Sequence, residues 1–342
     1  MAHSVLVTGA TGFIAKHIVL KLLDRGHTVV ASARSKRREG ELRAALGPNL
    51  TDQNALERLH VVALDLDKDE GWDAAMQDVD VLIHTASPFP MAQPEEESLV
   101  VRPAVDGTLR ALGAAHRAGV KRTILTSSSV AVMNTSLSDG RPAYDETDWS
   151  DTDDPRATPY VKSKTLAERA AWDFVETEAA EMQLTTINPA LVVGAPLDGN
   201  FGTSVQLIQR ILNHQDPIQP PLGFPCVDVR DVAEMHVRAM ERVETAGRRY
   251  IAAAEFLWLR EMAEQLKATF PDRKIATREA PSWLVRILAR VDRTIAAVAP
   301  NLDRRDEVSN ARARDEMGMT FADPRESVVA CARFLIENGL VK

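Results

Sequence analysis

Short apolar runs alternate along the first half of the chain with longer stretches whose apolar positions recur every three or four residues. Val5–Val7 and Thr28–Ala33 have the compact, β-branched character of buried strands, and Phe13–Asp24 between them has helical spacing. Further strand-like runs fall at Leu59–Leu64, Val79–His84 and Arg122–Thr126, with a helical pattern over Glu95–Ala118 between the last two. Thr158–Glu181, rich in Ala and Glu, predicts a long helix. Leu184–Ile187 predicts a strand that Asn188-Pro189 stops. Strands that alternate with helices need crossover connections, so the expected fold is α/β: a doubly wound parallel sheet of Rossmann type.

After Pro189 the pattern loosens. Gly and Pro are frequent between Gly194 and Pro225, Cys226–Met240 resumes a strand-to-helix pattern, and helical patterns dominate the end. The expected organisation is a dinucleotide-binding domain over 1–190 and a smaller, mostly helical substrate-binding lobe over 191–342. The chain is expected to rejoin the main sheet within 224–242, near Val227–Val229. Val285–Leu302 is apolar on one side but interrupted by Arg286, Arg290, Asp292 and Arg293, which predicts an amphipathic helix packed on the body.

Composition narrows the function classes. The 342 residues are 45% hydrophobic and 26% charged, as in globular proteins, and the net charge of −8 disfavours a nucleic-acid partner. No uncharged apolar stretch approaches the ~20 residues that span a bilayer, so no membrane partner is expected. Met1-Ala2-His3-Ser4 leads straight into the first strand without the basic and apolar regions of a signal peptide. Cys226 and Cys331 alone form no disulfide framework or metal site and read as idle thiols. A cytoplasmic location fits these features.

The candidate chemistry begins at Thr8-Gly9-Ala10-Thr11-Gly12-Phe13-Ile14-Ala15, between the first strand and the first helix. Gly9 suits the tight turn, and Gly12 lets backbone approach a pyrophosphate. The helix N-terminus then offers free N–H groups and the positive end of its dipole. Gly9, Thr11, Gly12, Phe13 and Ile14 are therefore cofactor-binding candidates, with Ala15 small enough for helix–strand packing. An NAD site would usually place a carboxylate at the end of the second strand. Here Ser32, Arg34 and Lys36 stand instead, and a guanidinium there suits a 2′-phosphate, so the expected cofactor is NADPH/NADP+. Asp65 and Leu66 end the third strand at the adenine edge. Thr85, Ala86 and Ser87 end the fourth beside the cofactor, with His84 as a packed structural histidine.

Thr126-Ser127-Ser128-Ser129 ends the fifth strand, with hydroxyls expected to face the cleft. Tyr160 and Lys164 lie one helical turn apart on one face. A free phenol titrates near ~10, and a neighbouring ammonium is expected to lower that value. Lys164 also suits the nicotinamide ribose hydroxyls. A serine hydroxyl would hold a carbonyl oxygen while Tyr160 moves the proton.

These residues resemble the extended short-chain dehydrogenase/reductases, in the branch of dihydroflavonol 4-reductases, cinnamoyl-CoA reductases and fungal NADPH-dependent methylglyoxal and ketone reductases. The stretches that carry the resemblance are Val7–Ala15, Ser32–Ser35, His84–Phe89, Leu125–Ser128, Tyr160–Glu168, Asn188-Pro189 and Asp228–Ala233. The resemblance implies that Ser128 is the catalytic serine, although the extra Ser129 leaves the register open between the two. It implies that Phe89 and Ser129 line the substrate pocket and that Pro189 and Val192 contact the nicotinamide end. It also implies a homodimer. Thr158-Pro159 before Tyr160 departs from the motif of cinnamoyl-CoA reductases, which argues against a CoA thioester. The expected activity is reversible reduction of a small-molecule carbonyl substrate with NADPH. Two other readings stand beside it: a sugar-nucleotide epimerase or dehydratase of the same fold, and a non-enzymatic nucleotide-sensing protein. The basic run after the second strand weighs against the first, and the Tyr160/Lys164 pair against the second.

Overall fold

The computed structural model describes residues 2–87, 97–137, 140–290, 295–296 and 299–342. Its centre is a seven-stranded sheet in the order β3-β2-β1-β4-β5-β6-β9. The strands are β1 Ser4–Thr8, β2 Thr28–Ala33, β3 Leu59–Ala63, β4 Val81–His84, β5 Arg122–Thr126, β6 Gln183–Pro189 and β9 Arg248–Ala252, and every pairing is parallel. The crossovers carry α1 Phe13–Asp24, α2 Glu39–Leu46, α3 Trp72–Ala75, α4 Ser98–Arg117 and α5 Pro159–Thr177. This is the doubly wound Rossmann-type sheet that the alternation predicts.

Side chains alternate across the sheet with the strand period of two. Leu6, Leu82, Leu125 and Leu184 face one layer, where they meet Ala111, Leu112 and Ala115 of α4 and Ala171 of α5. Val5, Val7, Ile83, Ile124 and Ile187 face the other, with Ile18, Val19 and Leu22 of α1. A helix still to come in the chain, α7 Val229–Glu241, joins α1 on that second face through Val232, Ala233 and Met235. The strand order reverses between β1 and β4, which opens a crevice at their carboxyl ends.

A second, three-stranded sheet lies beside the first, in the order β10-β8-β7, with β7 Leu191–Val193, β8 Gly223–Asp228 and β10 Glu255–Trp258. Further helices among the described residues are α6 Thr203–Leu212, α8 Leu259–Thr269, α9 Ser282–Leu288 and two more at Ala311–Met317 and Pro324–Glu337.

Four expectations need correction. The chain does not rejoin the main sheet near Val227–Val229: β8 pairs with β7 and β10, and the return comes at β9 beside β6. The strand β6 does not stop before Asn188-Pro189; both residues pair with β9, and at the strand's end the proline removes at most one ladder hydrogen bond. Helix α5 ends at Thr177 rather than at 181, where the chain turns to enter β6. The helix expected over Val285–Leu302 closes at Leu288; Val285, Ile295, Ala299 and Leu302 pack on the body as expected, while Ile287 and Leu288 are exposed. Its interrupting Asp292 and Arg293, like Phe89, lie outside the described residues. No described helix is long and apolar enough to cross a membrane.

Candidate active site

The carboxyl ends of β1, β4, β5 and β6 converge on one cavity of about 670 Å³. The glycine turn forms one wall. Gly9 has φ +64°, a left-handed angle that suits glycine, and a Cβ there would come within 3.0 Å of Ala86 Cα. A Cβ on Gly12 would meet Gly9 O at 3.2 Å. The turn is held from below by Ser32: its Oγ accepts from Gly9 N–H at 3.2 Å and its carbonyl from Ala10 N–H at 2.8 Å. Gly12 is the N-cap of α1, and no side chain caps that end, so its first N–H groups are open to an anion.

Beside this turn, Thr8 Oγ1 accepts from the N–H groups of Thr85 and Ala86 at 3.0 and 3.1 Å and contacts His84 Nδ1 at 2.9 Å. A hydroxyl has one proton, so Thr8 donates it to His84 Nδ1 and the histidine proton sits on Nε2. Burial, and then Lys164, push His84 down to about 3, so it is neutral at ordinary pH. It is the packed structural histidine that the sequence suggests.

The serine run divides its hydroxyls instead of turning them all to the cleft. Thr126 Oγ1 pairs with His236 Nε2 at 2.8 Å, and Ser127 Oγ donates to Glu168 Oε2 at 2.5 Å. Ser128 is hydrogen-bonded to Tyr160, accepts from Val130 N–H at 3.4 Å and reaches Pro189 O at 3.5 Å. Ser129 is buried and lines the same cavity. Of the two candidate serines, Ser128 is thus hydrogen-bonded to the tyrosine.

Tyr160 and Lys164 stand on α5 because Thr158 caps that helix through its Oγ1, 3.3 Å from Val161 N, and Pro159 occupies the first turn. Burial raises the Tyr160 pKa above its usual value, and the Ser128 hydrogen bond opposes that rise. The lowering expected from Lys164 is not found: burial raises the value, and among the described residues the only opposing cause is Ser128. Lys164 itself falls from 10.5 to about 8 through burial, with Glu168 opposing the fall.

Glu168 and its partners were not found among the sequence candidates. The carboxylate is buried and accepts from Ser127 Oγ, from Asn188 Nδ2 at 2.7 Å, from Thr186 Oγ1 at 3.0 Å and from Arg249 Nε at 2.7 Å. Asn188 Nδ2 also reaches Ser128 O at 3.2 Å, so the network backs directly onto the serine. Arg249 lies 3.7 Å over the Trp149 ring and donates to Glu146 O and Asp148 O. The available signal was the spacing of Tyr160, Lys164 and Glu168, four residues apart each time and so on one helical face.

Of the predicted site residues, Gly9, Gly12, Phe13, Ile14, Thr85, Ser87, Ser128, Ser129, Tyr160, Lys164, Pro189 and Val192 line the one cavity. Thr11, Arg34, Lys36, Asp65, Leu66 and Ala86 do not. Arg34 and Lys36 are exposed beyond the end of β2, and no ion pair engages either among the described residues. Arg38, overlooked in the sequence, donates from Nη1 to Thr11 Oγ1 at 2.9 Å and from Nε to Glu41 at 2.9 Å. Asp65 turns its carboxylate to the N–H of Asp67 at 3.2 Å, and Leu66 packs near Gly107. Cys226 and Cys331 are buried, and burial pushes both thiols well up.

Fold and cleft thus define a Rossmann-type α/β protein with its site at the sheet's switch point. A family model described as NAD dependent epimerase/dehydratase family matches residues 5–253. Ketoreductase azaE of Aspergillus niger is 35% identical over 99% of this chain and 99% of its own length. NADPH-dependent methylglyoxal reductase GRE2 of Saccharomyces cerevisiae is 32% identical over 78% of this chain and 83% of its own. The crystal structure of yeast methylglyoxal/isovaleraldehyde reductase Gre2 complexed with NADPH matches with a TM-score of 0.80 at 26% identity, covering 99% of this chain and 100% of that one. The chain belongs to the NAD dependent epimerase/dehydratase family, in the dihydroflavonol-reductase-like branch that the motifs suggest.

Proposed function

We propose that this protein is an NADPH-dependent carbonyl reductase that interconverts a ketone or aldehyde and its alcohol, with Ser128, Tyr160 and Lys164 as the catalytic set. The observation that carries this reading is the Ser128–Tyr160 hydrogen bond, with Lys164 buried one turn on, in the cavity that the glycine turn also lines. The relatives named above are a ketoreductase and an NADPH-dependent methylglyoxal reductase, which supports the same class.

The residues present fit the dinucleotide. The Gly9–Gly12 cradle has room only without Cβ atoms, and the uncapped start of α1 suits a diphosphate. Arg34 and Lys36 are free to take a 2′-phosphate, with Asp65 and Leu66 at the adenine side and Pro189 and Val192 at the nicotinamide end. The nicotinamide supplies the hydride when bound. Tyr160 gives its phenolic proton to the carbonyl oxygen, and Ser128 donates a hydrogen bond to the same oxygen as charge develops. Lys164 favours the phenolate left behind and suits the ribose hydroxyls. Tyr160 is the proton donor here, since neutral His84 is bound to Thr8.

The test is nicotinamide oxidation across a panel of aldehydes, diketones, β-keto esters and methylglyoxal, with NADPH and NADH. Tyr160→Phe should keep NADPH binding and lower turnover by roughly a thousandfold or more. A near wild-type rate in that variant would overturn the catalytic assignment. Silence of the wild type across the panel, with nicotinamide tightly copurified, would move the reading to an epimerase or dehydratase.

A further inference from the structure

A buried lysine that the proposed chemistry leaves unused sits one turn into α1. Lys16 is 1% exposed, and its Nζ forms an ion pair with Asp198 and donates to Asn200 O at 2.9 Å. Both partners belong to the connection from β7 to α6, more than 180 residues away in sequence. The same connection is tied at two more points. His17 Nε2 lies 3.2 Å from Ala195 O, and since a carbonyl only accepts, Nε2 carries the proton. Asn200 Nδ2 donates to Thr11 O at 2.7 Å, within the glycine turn itself. Directly after these ties, Phe201, Gly202, Thr203 and Ser204 line the same cavity as Gly9 and Gly12.

We propose that Lys16 is a positioning residue for the dinucleotide: the ion pair of its buried ammonium with the half-buried Asp198 straps the 195–200 connection across α1, and so closes the 201–204 wall over the diphosphate. Burying the lysine charge costs desolvation that an apolar side chain would not, which suits a contact whose task is registry rather than stability. The strap also acts on the turn. Thr11 is gripped on its carbonyl by Asn200 and on its hydroxyl by Arg38, so the N–H groups that would meet the diphosphate are fixed before it arrives. The inference rests on reading the cavity as a NADP(H) site.

The experiment is stopped-flow dissociation and equilibrium binding of NADPH and NADH to Lys16→Met, Asp198→Leu, their double variant and Asn200→Ala. Each single variant of the pair should speed release and weaken binding by about tenfold, through the dissociation rate. The factor should be equal for both coenzymes, because the diphosphate is common to them. The double variant should match the worse single, since either change already opens the strap. Asn200 is exposed, so Asn200→Ala keeps the Lys16–Asp198 pair and should fold normally, with a smaller shift in the same direction. Unchanged release in folded variants, additive effects in the double variant, or a loss confined to NADPH would each overturn the proposal. A wild type that binds neither coenzyme would remove the cofactor reading, and this inference with it. Normal wild-type binding with unaltered variants would remove the strap alone.

Discussion

Glu168→Gln tests how far the site depends on charge rather than shape. The wild-type carboxylate accepts four hydrogen bonds, from Ser127, Thr186, Asn188 and Arg249. A glutamine has one acceptor oxygen and must turn its amide donor towards groups that also donate. Ser127 and Thr186 can rotate to accept, but Asn188 Nδ2 and Arg249 Nε cannot. Arg249, 7% exposed, is then left without its counter-charge. Breaking a buried pair on one side costs about 3–5 kcal/mol. The two carbonyls and the Trp149 face that Arg249 keeps place this case at the lower end. At about 2 °C per kcal/mol for a chain of this size, the melting temperature should fall by about 6 °C.

The same change reaches the catalytic pair. Lys164 is held at about 8 by burial against the opposing pull of Glu168. Residues four apart on a helix face have Cβ atoms about 6 Å apart, where unit charges at an effective dielectric of about 20 interact by about 2–3 kcal/mol. Removing the carboxylate should therefore lower Lys164 by one to two pH units, at about 1.4 kcal/mol for each. The sign is definite: a lower Lys164 pKa empties its charge at lower pH, so the basic limb of the kcat profile for reduction moves towards acid. The assay is thermal unfolding by near-ultraviolet circular dichroism, together with kcat at saturating coenzyme from pH 5.5 to about 9.5, a range that brackets the shifted and unshifted limbs. A fall in melting temperature with an unmoved basic limb would refute the electrostatic role. An unchanged melting temperature would refute the buried pair itself.

Two further substitutions probe separate parts of the site. Arg34→Ala should raise the NADPH Michaelis constant by roughly 10–100-fold, the worth of one charge-assisted contact, and change the NADH value by less than about twofold; equal effects on both coenzymes would sink the 2′-phosphate assignment. Lys164→Met should abolish turnover yet stabilise the fold at pH 7, because burial drives Lys164 from 10.5 to about 8 and so costs the folded state about 3 kcal/mol below that pH. In the wild type that cost fades as pH rises from about 8 to about 10.4, the unfolded value, so urea denaturation of the two proteins should converge across that window; a variant less stable than wild type at pH 7 would refute it.

What the sequence made legible follows a physical division. Strands β1–β6 and α1 were readable because their cores are apolar and periodic, and Gly9–Gly12 and Tyr160/Lys164 because each motif closes within a few residues. In the second sheet only β8 was readable, as the start of the Cys226–Met240 pattern; β7 has three residues and β10 four, too few to show a period. The return strand β9 hid behind Arg248 and Arg249, which look like a solvated pair until a buried partner is known. That partner is Glu168, 81 residues earlier in the chain, just as the partner of Lys16 is 182 residues later. A buried charge is tolerated only when a distant group neutralises it, so its burial is a property of the pair and leaves no local mark. The hydroxyls after β5 follow the same rule. Thr126, Ser127 and Ser128 are consecutive and chemically alike, and only His236, Glu168 and Tyr160, brought from other elements, decide which of them reaches the tyrosine. Local motifs thus locate the chemistry, while the polar contacts that hold it in register come from residues that meet only after the sheet has formed.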